Sequence, residues 1–170
     1  MKRRWDGKSR KVREIMTPQP VCCLPSDSVH KAAGIMKDLD TGVVPVVDGS
    51  HGRLVGIVTD RDLCLSVLAA EAKPPALLVQ ECMAPRVVVC GPEDDVEKAM
   101  RLLEDQQIRR LPVVDAQGVI VGIVSMTDII RRSSLEARRA HGALEKICEP
   151  TPEASKPRAE AAHMAGASHR

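Results

Sequence analysis

Residues 45–48 read Pro-Val-Val-Asp, and the same four residues return at 112–115. Further along each half, Val-Gly-Ile-Val stands at 55–58 and again at 121–124. Matches that keep the same order over such a length indicate two copies of one unit. Two copies predict an arrangement with pseudo-twofold symmetry, in which corresponding sites face each other.

Each copy shows the same order of predicted elements: a short strand, a helix, a hairpin of two strands and a second helix. The strands are predicted at 21–23, 43–47 and 54–58 in the first copy, and at 87–90, 110–114 and 119–124 in the second. The helices are predicted from Val29 and Leu63, and from Val96 and Ile129. The expected fold is α/β (α+β), with two β-α-β-β-α repeats packed sheet to sheet around a shared core.

Charge and composition divide the rest of the chain. A basic N-terminal arm is predicted because Lys and Arg crowd the first residues, and a disordered tail is predicted where Ala, Pro, Glu and Ser lack an apolar period. The predicted segments are a basic arm at 1–11, the first repeat at 12–70, a linker at 71–78, the second repeat at 79–133, a short helix at 134–149 and the tail at 150–170.

The composition excludes several classes of protein. Trp5 is the only aromatic residue among Phe, Tyr and Trp, although 44% of the chain is hydrophobic, so the core must be aliphatic. An RNA-binding sheet that stacks bases on aromatic rings is therefore excluded. No apolar run reaches membrane-spanning length and no signal peptide is evident, which predicts a cytoplasmic protein without a membrane span. The six cysteines lack C-x-x-C spacing, so we expect reduced thiols and no metal site.

The pattern M-T-P…V-P-V-V-D…G-I-V-T-x-x-D occurs at residues 16–18, 44–48 and 56–62, with a matching series in the second copy. This pattern resembles the tandem cystathionine-β-synthase (CBS) domain pair, or Bateman module, over roughly residues 12–133. The resemblance implies a stand-alone homodimer that binds AMP, ADP, ATP or a related adenosyl ligand between its copies and regulates a separate, unidentified protein. It implies no required cofactor beyond that ligand.

The repeated Thr/Ser-x-x-Asp motif, at Thr59 and Asp62 and again at Ser125 and Asp128, begins a predicted helix in each copy. As a capping box it would contribute about 1 kcal/mol. As a ligand site it would offer helix amides to a phosphate and a carboxylate to ribose hydroxyls. The resemblance implies two clefts that combine one copy's motif with the other's strands. The first would hold Thr59, Asp62, Arg86, Val88, Arg109, Arg110 and Leu111, and the second would hold Ser125, Asp128, Thr17, Val21, Val43 and Val44.

The three arginines make the first cleft basic, which favours a phosphorylated adenosine ligand there and a less charged ligand, or none, in the second. Asp60 adds negative charge beside the proposed phosphates, so a triphosphate would need Mg²⁺ to screen it. Without Phe or Tyr, adenine would lie between Val88, Leu111, Val21 and Val44. No nucleophile elbow, Walker A or G-x-G-x-x-G motif is present, which predicts no enzyme activity. The alternatives are a ligand-free structural dimer and, less favoured, nucleic-acid binding through the basic arm.

Overall fold

The structure is a computed structural model that describes residues 10–69, 77–132 and 137–149. Most of the predicted basic arm, most of the predicted linker and the whole predicted tail therefore lie outside the described residues. Within the described ranges, no helix is both long enough and apolar enough to cross a membrane.

The elements follow the predicted order, and the α+β fold is confirmed. In the first repeat, strand β1 spans Thr17–Pro18, helix α1 Val29–Asp38, strand β2 Val43–Val47, strand β3 Leu54–Thr59 and helix α2 Asp60–Ala69. In the second, helix α3 spans Val96–Asp105, strand β4 Arg110–Val114, strand β5 Ile120–Ser125 and helix α4 Met126–Arg132, and helix α5 follows at Ala137–Cys148. Short 3-10 turns at Val12–Glu14 and Val79–Glu81 open the two repeats.

The two hairpins are built alike. Strand β2 pairs antiparallel with β3, and β4 pairs antiparallel with β5, with Pro45 opposite Ile57 and Pro112 opposite Ile123. Both pairings shift register after the first valine that follows the proline. All five residues of β2 are buried, as its continuous apolar run predicts.

The predicted first strands at 21–23 and 87–90 are wrong as strands, because each is reduced to a single bridged residue. Cys23 pairs in parallel with Val46. Its amide donates to Pro45 O at 2.9 Å, and its carbonyl accepts from Val47 N at 2.9 Å. Nearby prolines, which have no N–H to donate, stop the ladder from extending on either side. Helices α2 and α4 also begin nearly one turn before their predicted starts.

Each repeat gives its first residues to the other repeat. Strand β1 pairs with β5, with Thr17 opposite Ile123, so it joins the three-stranded sheet β1-β5-β4 of the second repeat. In the corresponding place, Ala84 exchanges two hydrogen bonds with Ile57 of the first repeat, at 2.8 and 3.1 Å. Strands of each repeat therefore pair with residues from the other repeat.

The cores show the same exchange. Val12 and Ile15 are fully buried among residues of the second repeat, including Leu111 and Ile129. Val79 is fully buried in the core of the first repeat. Aliphatic side chains fill both clusters, as the lack of aromatic residues predicts.

Two glycines make room for this crossing. A Cβ on Gly56 would lie 2.7 Å from Met83 Sδ and 3.2 Å from Ala84 O, and a Cβ on Gly122 would overlap the Met16 sulfur. Both glycines are buried in strands, where any larger residue would push the exchanged segment away.

Candidate functional site

The Thr/Ser-x-x-Asp motif forms reciprocal hydrogen bonds at the start of α2. The Thr59 amide donates to Asp62 Oδ2 at 2.9 Å, and the Thr59 hydroxyl donates to the same oxygen at 2.7 Å. The Asp62 amide donates back to Thr59 Oγ1 at 3.2 Å. Ser125 and Asp128 repeat this arrangement at the start of α4, with distances of 3.0, 2.6 and 3.1 Å. The predicted capping role is therefore present in both repeats.

The two aspartates differ in their second oxygen. Within the described residues, Asp62 makes its hydrogen bonds through Oδ2, which leaves Oδ1 without a protein donor. Asp128 Oδ1 lies 3.7 Å from Arg132 Nε, a residue of its own helix. Both carboxylates are partly exposed, so an incoming hydroxyl group can reach them.

The helix amides that were expected to face a phosphate are already occupied in α2. The Asp60 amide donates to Gly42 O at 3.1 Å, and the Arg61 amide donates to Asp60 Oδ1 at 2.7 Å. With Asp62 bonded to Thr59, the first three amides of α2 all have acceptors. A phosphate would have to compete for them.

The start of α4 is more open. The Met126 amide donates to Arg109 O at 3.1 Å, which matches the bond between Asp60 and Gly42 in the first repeat. In the described part of the chain, no side chain accepts from the amide of Thr127, whose counterpart is Arg61. The two helix starts therefore present different surfaces to an anion.

The two repeats meet at Gly42. A Cβ there would lie 2.8 Å from Asp60 Oδ2 and 3.4 Å from Arg110 Nη1. A carboxylate of the first repeat and a guanidinium of the second thus both lie close to Gly42. No ion pair joins Asp60 and Arg110. Among the described residues, Arg110 forms no other ion pair either. Arg110 therefore lies at the helix start that carries Thr59 and Asp62.

Three other predicted site residues, all in strands, have buried side chains. Val44 and Leu111 are fully buried in the two cores, and Val43 is nearly so, because the strands are covered on both faces. A ligand cannot touch the side chains of Val44 and Leu111 while the cores stay closed. The carbonyl of Arg109 bonds to the start of α4, which places its backbone at the second helix start, and its grouping with Asp62 stays a prediction.

The remaining predicted residues lie at the surface, on the exchanged segments or close to them. Thr17 and Arg86 are exposed, Val21 is 49% exposed, and Val88 is half-buried against the second core. Val21 and Val88 are thus the predicted aliphatic residues that remain accessible to a base. Gly42 and its approach by Asp60 and Arg110 were not predicted, and the only signal in the sequence was the small residue before β2.

Burial sets the protonation state of two of the cysteines. All six cysteines are free. Burial raises the pKa of Cys23 to about 11 and that of Cys90 to about 12, which keeps both thiols protonated at neutral pH. Across the described ranges, no group of three His, Cys, Asp or Glu residues is placed to hold a metal ion.

An open depression of about 460 Å³ lies at the opposite end of β4 from Arg110. The ion pair between Asp94 and Lys98, with Nζ 2.9 Å from Oδ1, forms part of its wall. This depression is separate from the Gly42 junction and brings together none of the predicted ligand residues.

Comparison with known proteins supports the division of the chain into two repeats. The profile of the CBS domain family matches residues 12–69 and again 79–135. The uncharacterized protein YlbB of Bacillus subtilis is 36% identical over 139 residues, which cover 82% of this chain and 92% of that protein. An inosine-5′-monophosphate dehydrogenase of Methanocaldococcus jannaschii is 34% identical over 124 residues, which cover 72% of this chain but 23% of the enzyme.

Solved structures of CBS proteins share the fold. CBSX2 of Arabidopsis thaliana, solved in complex with AMP, is 32% identical, with a TM-score of 0.62 over 71% of this chain and 93% of that one. The CBS domain pair of protein MJ0100, solved with 5′-methylthioadenosine and S-adenosyl-L-methionine, is 30% identical, with a TM-score of 0.65 over 73% and 95%. The resemblance seen in the sequence is confirmed: this chain belongs to the CBS domain family and consists mainly of a tandem CBS pair.

Proposed function

We propose that this chain is a regulatory module that binds an adenosyl ligand between its two repeats and acts on a separate protein. The observation that carries this proposal is the hydroxyl–carboxylate pair at both helix starts, with Asp62 Oδ1 left open beside the Gly42 junction. The AMP and S-adenosyl-L-methionine complexes of related CBS pairs support the ligand class.

The chemistry of the site fits an adenosine. A carboxylate with an open oxygen can accept hydrogen bonds from the ribose hydroxyls. Adenine would lie against aliphatic surface, for which the accessible side chains of Val21 and Val88 are candidates. The group on the 5′ carbon would point toward Arg110, where a charged side chain from each repeat is within reach. ATP would need Mg²⁺ there to offset the charge of Asp60.

The regulatory role follows from where the ligand binds. A ligand that touches both repeats would favour one packing of the pair over others and so change the surface shown to a partner. The protonated buried thiols and the sequence without catalytic motifs support binding rather than catalysis. Six unpaired cysteines support a reducing compartment such as the cytoplasm.

A thermal-shift series tests the ligand proposal. AMP, ATP with and without Mg²⁺, 5′-methylthioadenosine and S-adenosyl-L-methionine would each be added to the full chain. A ligand at about 100 times its Kd adds roughly 2.7 kcal/mol to stability, which raises Tm by about 5–10 °C for a chain of this size. Guanosine analogues serve as controls. No shift with any adenosyl compound would instead favour the ligand-free structural dimer.

The homodimer is part of the same proposal. Leu65 and Leu68 on α2 are 53% and 78% exposed, and Ile130 on α4 is 40% exposed. These helices occupy corresponding places in the two repeats, so a second copy could cover both by a twofold contact. Light scattering of the purified chain should give twice the 18.4 kDa monomer mass. A monomer mass at micromolar concentration would remove this part of the proposal.

A further inference from the structure

Asp60 sits where the phosphate of a ligand would be expected to bind. Its Oδ1 accepts the Arg61 amide at 2.7 Å, and its Oδ2 lies at the Gly42 junction near Arg110. A helix amide and an arginine are the two groups that would otherwise hold a phosphate in this cleft. The carboxylate of Asp60 therefore acts as a resident anion.

A phosphate that entered this cleft would have to displace Asp60 or lie next to it. Two like charges a few ångströms apart repel each other, and the repulsion grows as the ligand excludes water. An adenosyl ligand with a neutral thioether or a cationic sulfonium on its 5′ carbon would meet no such repulsion. Asp60 would even attract the sulfonium.

The second helix start lacks this anion. Met126 occupies the position of Asp60 and is 4% exposed, and Arg109 occupies the position of Gly42. Among the described residues, the Thr127 amide has no side-chain acceptor. At this start, therefore, no carboxylate stands at the position that Asp60 occupies in the first repeat.

We propose that Asp60 is a specificity residue, which makes the Asp62 cleft select adenosyl ligands without a 5′ phosphate. This inference rests on the proposed adenosyl-binding function. It reverses the assignment that the number of arginines favours, because Arg110 reaches the Gly42 junction together with the carboxylate of Asp60.

Calorimetry on single-cleft proteins tests the inference. Asp128→Ala isolates the first cleft, and 5′-methylthioadenosine and AMP serve as probes that differ in the 5′ group. The first cleft is expected to bind 5′-methylthioadenosine at least about tenfold more tightly than AMP. Adding Asp60→Asn, which keeps the shape but removes the charge, is expected to tighten AMP about tenfold and to change 5′-methylthioadenosine less than about threefold.

Glu149→Gln is the matched control, because it removes one negative charge from an exposed position near the end of the described residues. It should change neither affinity. Equal binding of both probes to the Asp128→Ala protein, or an Asp60→Asn effect that is the same for both, overturns the inference while the proposed function stands. If neither probe binds but another adenosyl compound raises Tm of the wild-type chain, the inference fails and the proposed function stands. If no adenosyl compound binds, both fail.

Discussion

Ile15→Ala is expected to lower the free energy of unfolding by about 2–5 kcal/mol, as much as a substitution in the middle of a core. Ile15 precedes the first strand, yet it is fully buried with Leu111 and Ile129 of the second repeat. Its removal would leave a cavity between the repeats, where the exchanged segment meets the other core. Urea denaturation followed by circular dichroism measures the change.

Leu39→Ala is the control for this prediction. It deletes the same number of carbon atoms from a side chain that is 54% exposed just after α1, so the expected loss is below about 1 kcal/mol. Equal effects of the two substitutions would contradict the packing of the first residues on the second repeat. Because each repeat packs its first residues on the other, we expect a single cooperative transition in both variants.

The sequence predicted the hairpins and helices because their signals are local. The apolar run Val43–Val47 and its copy Arg110–Val114 have the observed bounds of β2 and β4. Helical spacing from Val29 and Val96 likewise marks the observed starts of α1 and α3. Such patterns depend on which face of an element is buried, and this can be read from a few neighbouring residues.

The exchange of the first segments could not be predicted in the same way. The residues around Thr17 in the sequence do not indicate which of the two sheets it joins. Its pairing partner, Ile123, lies more than one hundred residues away in the chain. One signal was available: Gly56 and Gly122 recur inside strands, and a glycine in a strand often marks a close approach of another backbone. The shortened first strands have a local cause, since prolines stand on both sides of Cys23.

The predictions about the site also divide into those that rest on local sequence and those that depend on long-range contacts. The motif of Thr59 and Asp62 is local, and its hydrogen bonds are those of the predicted capping box. The grouping of Arg110 with Asp62 came from the family resemblance, and the approach of Arg110 to the Gly42 junction supports it. The role of Asp60 depends on where its two carboxylate oxygens point, which no sequence pattern specifies.

Asp62→Ala is expected to weaken 5′-methylthioadenosine binding in the first cleft by a hundredfold or more. The open Oδ1 would accept ribose hydroxyls, and a hydrogen bond to a charged group contributes about 1.5–3 kcal/mol, so losing two such bonds exceeds about 3 kcal/mol. The helix cap contributes only about 1 kcal/mol, so the variant should remain folded. Calorimetry in the Asp128→Ala background measures the binding loss, and urea denaturation measures the stability.

Asp27→Ala distinguishes a loss of stability from a loss of ribose recognition. Asp27 also accepts a backbone amide, from Leu24 at 2.8 Å, and it pairs with Lys31 at 2.7 Å. The Leu24 amide, followed by Lys31, lowers the pKa of Asp27, so its stabilising effect is present above the ordinary pKa and is lost as the pH falls through the lowered value. Asp27→Ala should therefore reduce stability at pH 7 while leaving affinity unchanged. A loss of affinity as large as that of Asp62→Ala would mean that general destabilisation, rather than ribose recognition, explains the effect of Asp62.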